Sequence, residues 1–99
     1  MSTETQVDEA FHERSNAHLA LSNQQLQAGG NLHMVGASGL YAAARYCAYV
    51  SANGFESGPD MASKRAETVE FFMGRFKLML ESHLDDYIYN FDVFMKPQG

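Results

Sequence analysis

The sequence predicts an all-α protein, a small bundle of three long helices followed by a short C-terminal helix. Two observations support this prediction: apolar residues recur at spacings of three and four along most of the chain, and glycine, proline and asparagine interrupt that pattern at only a few points. The clearest interruptions are GGN at 29–31 and NGFESGPD at 53–60. The 99 residues are enough for a single helical domain with one core, and we expect its ends, 1–6 and 96–99, to fray.

The first helix is predicted from about Val7 to Ala28. Its apolar face combines Phe11, Leu19 and Leu26 with two serines at alternating spacings of four and three. Asp8 and Glu9 are expected in the first turn, where carboxylates favour the helix dipole, and Gly29-Gly30 would end the helix.

The second helix is predicted from about His33 to Asn53, with a start after Ser38 as the alternative. One face carries mostly small residues at helical spacing: Gly36, Leu40, Ala43, Cys47 and Val50. Small side chains let a neighbouring helix approach to the short end of the usual range of about 8–10 Å. We therefore expect this face to pack closely against other helices.

The third helix is predicted to begin at Pro59-Asp60, since proline suits the first turn and an acid close behind it favours the dipole. A wide apolar stripe follows: Met61, Val69, Phe72, Phe76, Met79 and Leu80. Ser82 and Asp85 resemble a capping box, which predicts a break and a last helix up to Phe94. One helix unbroken to Phe94 is the alternative. Residues 87–94 also alternate briefly as a strand would, but we expect them to be helical.

Composition excludes several classes of function. The formal net charge is −5, with only seven scattered Lys and Arg, so we expect no nucleic-acid binding and no association with an anionic membrane. Residues 15–44 lack charged side chains yet are too polar to cross a bilayer. The single cysteine, Cys47, cannot form an internal disulfide, and no signal-like segment opens the chain, so we expect a cytoplasmic protein.

Few residues suggest chemistry. Glu9 and His12 have the Glu-x-x-His spacing of di-iron bundles, but those sites need a second such motif, and the chain has one. Cys47 lies on the small-residue face, where cysteine usually acts as a buried hydrophobe. His83, Asp85 and Asp86 combine an imidazole with two carboxylates, although acids at a helix start commonly serve the dipole alone. We expect no catalytic residue, no metal and no cofactor.

Arg45 is the most informative polar residue. It is set among alanines and tyrosines next to the small-residue face, so its guanidinium needs an acceptor, and Asp85 and Asp86 are the best candidates. We predict an ion pair between helices there. The alternative is an anion-binding or partner-binding patch of Arg45 with neighbouring tyrosines, because Arg and Tyr are enriched in interface hot spots. These tyrosines are Tyr41, Tyr46 and Tyr49.

Two segments together resemble a known family. The chain contains LYAAARYCAYV at 40–50 and MLESHLDDYIYNFDVF at 79–94. In this arrangement it resembles a family of short bacterial proteins of unknown function that share a Leu-Tyr-Ala-Ala-Ala-Arg-aromatic core and a Leu-Asp-Asp-Tyr segment. The resemblance implies a small helical bacterial protein with no assigned activity. On the matching positions it singles out four polar residues: Arg45, Asp85, Asp86 and Tyr87.

The aromatic content suggests how the chain functions. Seven aromatic residues fall on the last two predicted helices, and a three-helix monomer would struggle to cover them. We therefore expect a homodimer, with a further protein as a possible partner, and a non-enzymatic interaction module rather than an enzyme. The alternative is a protein that binds a small ligand or metal, with weak enzymatic activity, through His12, His83, Asp85 and Asp86.

Overall fold

The computed structural model describes residues 8–96, and over that range the chain is all-α, as predicted. It has three long helices, α1 (Phe11–Gln27), α2 (Leu32–Ala52) and α4 (Arg65–Tyr89), and two short ones, α3 (Gly58–Ser63) and α5 (Phe91–Met95). No strand occurs between residues 8 and 96. Three long helices and a short C-terminal helix are thus confirmed, but the third helix, predicted to begin at Pro59-Asp60, is divided at Lys64 into the short α3 and the long α4.

Helix α1 begins later than predicted. Asp8 and Glu9 precede the helix rather than occupying its first turn, and Ala10 is the N-cap residue without a side-chain hydrogen bond. The reason is a turn before the helix, in which the amide of Phe11 donates to the carbonyl of Asp8 at 3.0 Å.

The end of α1 follows the predicted Gly-Gly signal. Gly29 has a φ of 104°, in the left-handed region that favours glycine, and this ends α1 after Gln27. The amide of Gly30 donates to the carbonyl of Gln25 at 3.1 Å. A Cβ atom on Gly30 would lie 2.7 Å from that same oxygen, so this position also requires glycine.

Asn31 settles where α2 starts. Its side-chain oxygen accepts hydrogen bonds from the amides of His33 at 2.9 Å and Met34 at 3.2 Å, as an N-cap residue does. The start near His33 is confirmed, and the start after Ser38 is excluded. At the other end, the Asn53 side chain donates to the carbonyl of Tyr49 at 2.8 Å.

The region after α2 begins as predicted. Ser57 caps α3 by accepting from the amide of Asp60 at 3.2 Å, and Pro59 lies in the first turn. Helix α3 ends at Ser63, and Lys64 separates it from α4.

The predicted break near Ser82 is wrong. Helix α4 runs unbroken for 25 residues through Ser82 and Asp85, which therefore form no capping box, and it ends at Tyr89. The break comes instead at Asn90, whose backbone amide and side-chain amide both donate to the carbonyl of Asp86, at 3.0 and 3.2 Å. The last helix is accordingly shorter than predicted, and the helical prediction for residues 87–94 is confirmed apart from Asn90.

Contacts divide the chain into two compact units, with the boundary between Tyr46 and Cys47 inside α2. The first unit contains α1 and the N-terminal part of α2. The second contains the end of α2 with α3, α4 and α5, in which α4 contacts both short helices. The frayed ends predicted at 1–6 and 96–99 lie outside the described residues except for Lys96, which pairs with Asp92 at 3.6 Å.

Candidate functional site

The main feature of the surface is that apolar side chains remain open to solvent. None of the residues from 8 to 96 is buried in the single chain. Folded domains normally bury most of their Leu, Ile, Phe and Met side chains, and a large exposed apolar surface usually marks an interaction site. We therefore ask which helix face of this protein forms an interaction site.

Helix α4 carries a straight apolar stripe. Its members are Val69, Phe72, Phe76, Leu80, Leu84 and Tyr87. Val69 and Tyr87 lie 18 residues or about five turns apart, so the stripe runs parallel to the helix axis over about 27 Å. Phe72 is half-buried and Phe76 is 44% exposed, whereas Leu78 on the opposite side of the helix is 69% exposed. We call these six residues the α4 stripe.

The small-residue face of α2 is largely exposed. Leu40 and Val50 are 56% and 50% exposed, Ala43 is exposed, and Cys47 is a half-buried free thiol. The expected close packing of this face against other helices stays a prediction, because these exposures describe the single chain. The physical reason for the small side chains, close approach of another helix, still applies to a neighbour from outside the chain.

The predicted site residues on α2 lie at its centre. Arg45 and Tyr46 belong to the first unit, and Tyr49 belongs to the second. Tyr46 and Tyr49 are both more than half exposed.

The predicted site residues on α4 lie in its last two turns. Asp86 accepts a hydrogen bond from the Asn90 side chain at 2.8 Å, and so it stabilises the helix end. The ring of Tyr87 packs against that of Phe94, with centroids 4.8 Å apart, and ties α5 to α4. Asp85 is exposed. Two of these three residues thus have a local structural role.

The ion pair between Arg45 and Asp85 or Asp86 stays a prediction. Arg45 lies in the first unit and both carboxylates lie in the second. The partner-binding patch around Arg45 likewise stays a prediction.

The residues considered for metal binding are dispersed. Glu9 lies before α1, whereas His12 lies within it, and the imidazole of His12 packs edge-on against Phe11 at 5.1 Å. Among residues 8–96, no three side chains of His, Cys, Asp or Glu are grouped as metal ligands. No helix in that range is both long and apolar enough to span a membrane.

The prediction missed the strongest ion pair in the described chain. Arg14 contacts both carboxylate oxygens of Asp8, at 2.6 and 3.1 Å, in bidentate geometry. The hydrogen bonds from Arg14 lower the pKa of Asp8 from 3.8 to about 2. A separation of six residues is not a helical spacing, so only the turn before α1 brings the two side chains together. The pair is exposed and lies at the start of α1.

A second missed contact lies on the side of α4 away from the stripe. The guanidinium of Arg75 lies 5.5 Å from the ring centroid of Phe71, one turn earlier on the same helix. Arg and Phe at a spacing of four are the sequence signal for this contact. It leaves Arg75 half-buried on that outer side of the helix.

The junction of α4 and α5 contains a shallow cavity of about 220 Å³, lined by residues 88–93. Its one carboxylate, Asp92, is paired with Lys96. The cavity supplies no group of converging polar side chains and thus no defined ligand chemistry.

These features define the class: a small all-α protein whose open helix faces, rather than a catalytic cluster, are its most prominent surface. The chain belongs to the family described as "Protein of unknown function (DUF3144)", which matches residues 11–88. The expectation of a family of unknown function is confirmed. The two motifs that suggested it stay a prediction.

One solved structure supports the fold. The chain is similar to the NMR structure of the protein NB7890A from Shewanella sp, with 35% sequence identity, and the match covers 94% of this chain and 98% of that chain. The TM-score is 0.75, so the backbone arrangement is shared. None of the curated proteins matches the chain.

Proposed function

We propose that the protein is a non-enzymatic interaction module that acts as a cytoplasmic homodimer. The observation that supports this proposal is the absence of any buried side chain among residues 8–96. A chain with 45% hydrophobic residues has enough apolar surface to form a core, so the missing cover is best supplied by another chain.

A second copy is the simplest source of that cover. Most soluble oligomers are homo-oligomers, and two-fold dimers are the commonest among them. Obligate homodimer interfaces are also more apolar than other interfaces and resemble a divided core. Open apolar faces on two long helices, α2 and α4, meet that description. A different protein bound to the same faces is the other form that an interaction module can take.

The test is the mass in solution combined with the concentration dependence of thermal unfolding. We expect a dimer mass by light scattering at all concentrations at which the chain is folded. We also expect a melting temperature that rises by about 3–6 °C for each tenfold increase in concentration, because each tenfold step changes the dimer's free energy of unfolding by about 1.4 kcal/mol. A folded monomer with a melting temperature independent of concentration would refute the homodimer.

A further inference from the structure

We propose that the α4 stripe is the dimer contact and that two copies of α4 pair through it in antiparallel orientation, centred at Leu78. This inference rests on the proposed homodimer and specifies its interface. Three features of α4 support it: the spacing of the stripe, the sizes of its side chains and the distribution of charge along the helix.

The spacing is symmetric. The successive steps of the α4 stripe are three, four, four, four and three residues, which read the same in both directions with Leu78 at the midpoint. When a second copy of α4 lies antiparallel, each stripe residue of one helix therefore lies at the same height along the helix axis as a stripe residue of the other helix. The resulting levels are Val69 with Tyr87, Phe72 with Leu84, and Phe76 with Leu80.

The sizes of the side chains select antiparallel over parallel pairing. Each antiparallel level combines one aromatic ring with one aliphatic side chain, so the two helices keep a nearly constant separation. A parallel pair would instead match Phe72 and Phe76 with themselves and Val69 with itself. The two helix axes would then be held apart by the levels at which two rings face each other. Voids would remain at the levels at which two small side chains face each other.

The charges favour the same orientation. Residues 64–77 contain four basic and two acidic side chains, a net charge of +2, whereas residues 78–92 contain four acidic and no Lys or Arg side chains, a net charge of −4. Antiparallel pairing sets each acidic half beside the partner's basic half. Parallel pairing would set two acidic halves side by side, at an electrostatic cost. The helix dipoles are also opposed in the antiparallel pair.

Distances between spin labels on the two copies test the orientation. Single cysteines are introduced at Glu67, Leu78 and Tyr89 in a Cys47→Ser background, or in Cys47→Ala if the serine variant does not fold. All three positions lie on the side of α4 away from the stripe, and Leu78 and Tyr89 are 69% and 88% exposed, so labels there leave the contact intact. Each labelled chain is first weighed by light scattering.

The expected result is a pattern of three distances measured by pulsed electron–electron double resonance. In the antiparallel dimer, labels at Glu67 and Tyr89 are each offset along the axis by about 33 Å from their own copies, since 22 residues rise about 1.5 Å each, whereas labels at Leu78 have no axial offset. The distances at the two ends should be alike and clearly longer than the distance at the centre.

Each of the other possible outcomes contradicts either the antiparallel α4 pair or the homodimer itself. Three similar short distances in a dimer would mean parallel pairing, and any other pattern in a dimer would mean that another surface makes the contact; either result overturns the antiparallel α4 pair and leaves the homodimer intact. A monomer mass without dipolar coupling, in the labelled and the unlabelled chain alike, overturns the homodimer as well.

Discussion

Truncation of Phe76 to alanine should weaken the dimer far more than the same truncation at Leu78. Phe76 is 44% exposed in the single chain and lies next to the centre of the α4 stripe. An aromatic side chain offers roughly 200 Å² of surface, so about 90 Å² of each ring is available to be covered by the partner. The two rings of a dimer then cover about 180 Å², which at about 25 cal/mol per Å² contributes about 4.5 kcal/mol.

That figure sets the expected size of the effect. Alanine retains its β-carbon, so we expect a loss of about 3–4 kcal/mol, and each 1.4 kcal/mol corresponds to a tenfold change in Kd. The Kd of Phe76→Ala should therefore rise by about two to three orders of magnitude. Sedimentation equilibrium over a range of concentrations measures it directly.

Leu78→Ala is the matched control. Leu78 lies on the outer side of the same helix, so its truncation should leave the Kd within a factor of about three. Circular dichroism of both variants at high concentration checks that the helices are retained. If the two substitutions change the Kd equally, or if only Leu78→Ala does, the stripe is not the contact and the reasoning from its exposure is wrong.

Three further predictions concern local contacts. The carboxyl group of Asp8 should titrate near pH 2 in the wild-type chain and near its usual pKa of 3.8 in Arg14→Gln, as measured by NMR. Because the pKa is lowered in the folded state, the stabilisation from this ion pair is present above pH 3.8 and is lost as the pH falls through about 2. Gly30→Ala should lower the melting temperature, since the new Cβ would lie 2.7 Å from a carbonyl oxygen. Gly74 lies within α4 with open space around it, so Gly74→Ala should instead stabilise the chain by about 0.5–1 kcal/mol. Arg45→Ala should lower the melting temperature through loss of its predicted carboxylate partner.

Each of these has a result that contradicts it. An unchanged Asp8 titration in Arg14→Gln would mean that the ion pair does not form in solution. Equal effects of the two glycine substitutions would remove the steric argument at Gly30. If Arg45→Ala keeps the melting temperature but loses binding to a partner, Arg45 belongs to a partner-binding patch rather than to an ion pair.

The sequence predicts the helical elements well where a strong local signal exists. Gly29 ends α1 because its positive φ is needed there, and Ser57 with Pro59 starts α3 through a side-chain cap and a preset φ. Asn31 is an N-cap residue immediately before the apolar pattern resumes, so the start of α2 was also readable.

The sequence misleads where a local motif competes with a longer pattern. Ser82 and Asp85 match a capping box, but Leu84 and Tyr87 continue the helical period and no glycine or proline interrupts it, so α4 continues. Helix α4 ends instead at Asn90, where the sequence offers neither glycine nor proline as a signal.

The candidate site was harder to predict than the fold. Periodicity identifies an apolar face but does not distinguish a face covered by the same chain from one that stays open, so the close packing of the small residues of α2 stays a prediction. The bidentate contact of Asp8 with Arg14 depends on a turn that no spacing rule reveals.

The lack of any fully buried side chain among residues 8–96 has a consequence for how the protein survives in a cell. If the proposed homodimer forms, a newly made copy that has not yet paired presents its hydrophobic residues to proteases and chaperones, while a paired copy covers them. Degradation would then remove unpaired molecules first. The rate of synthesis, through the chance of an encounter, would decide how much of the protein persists.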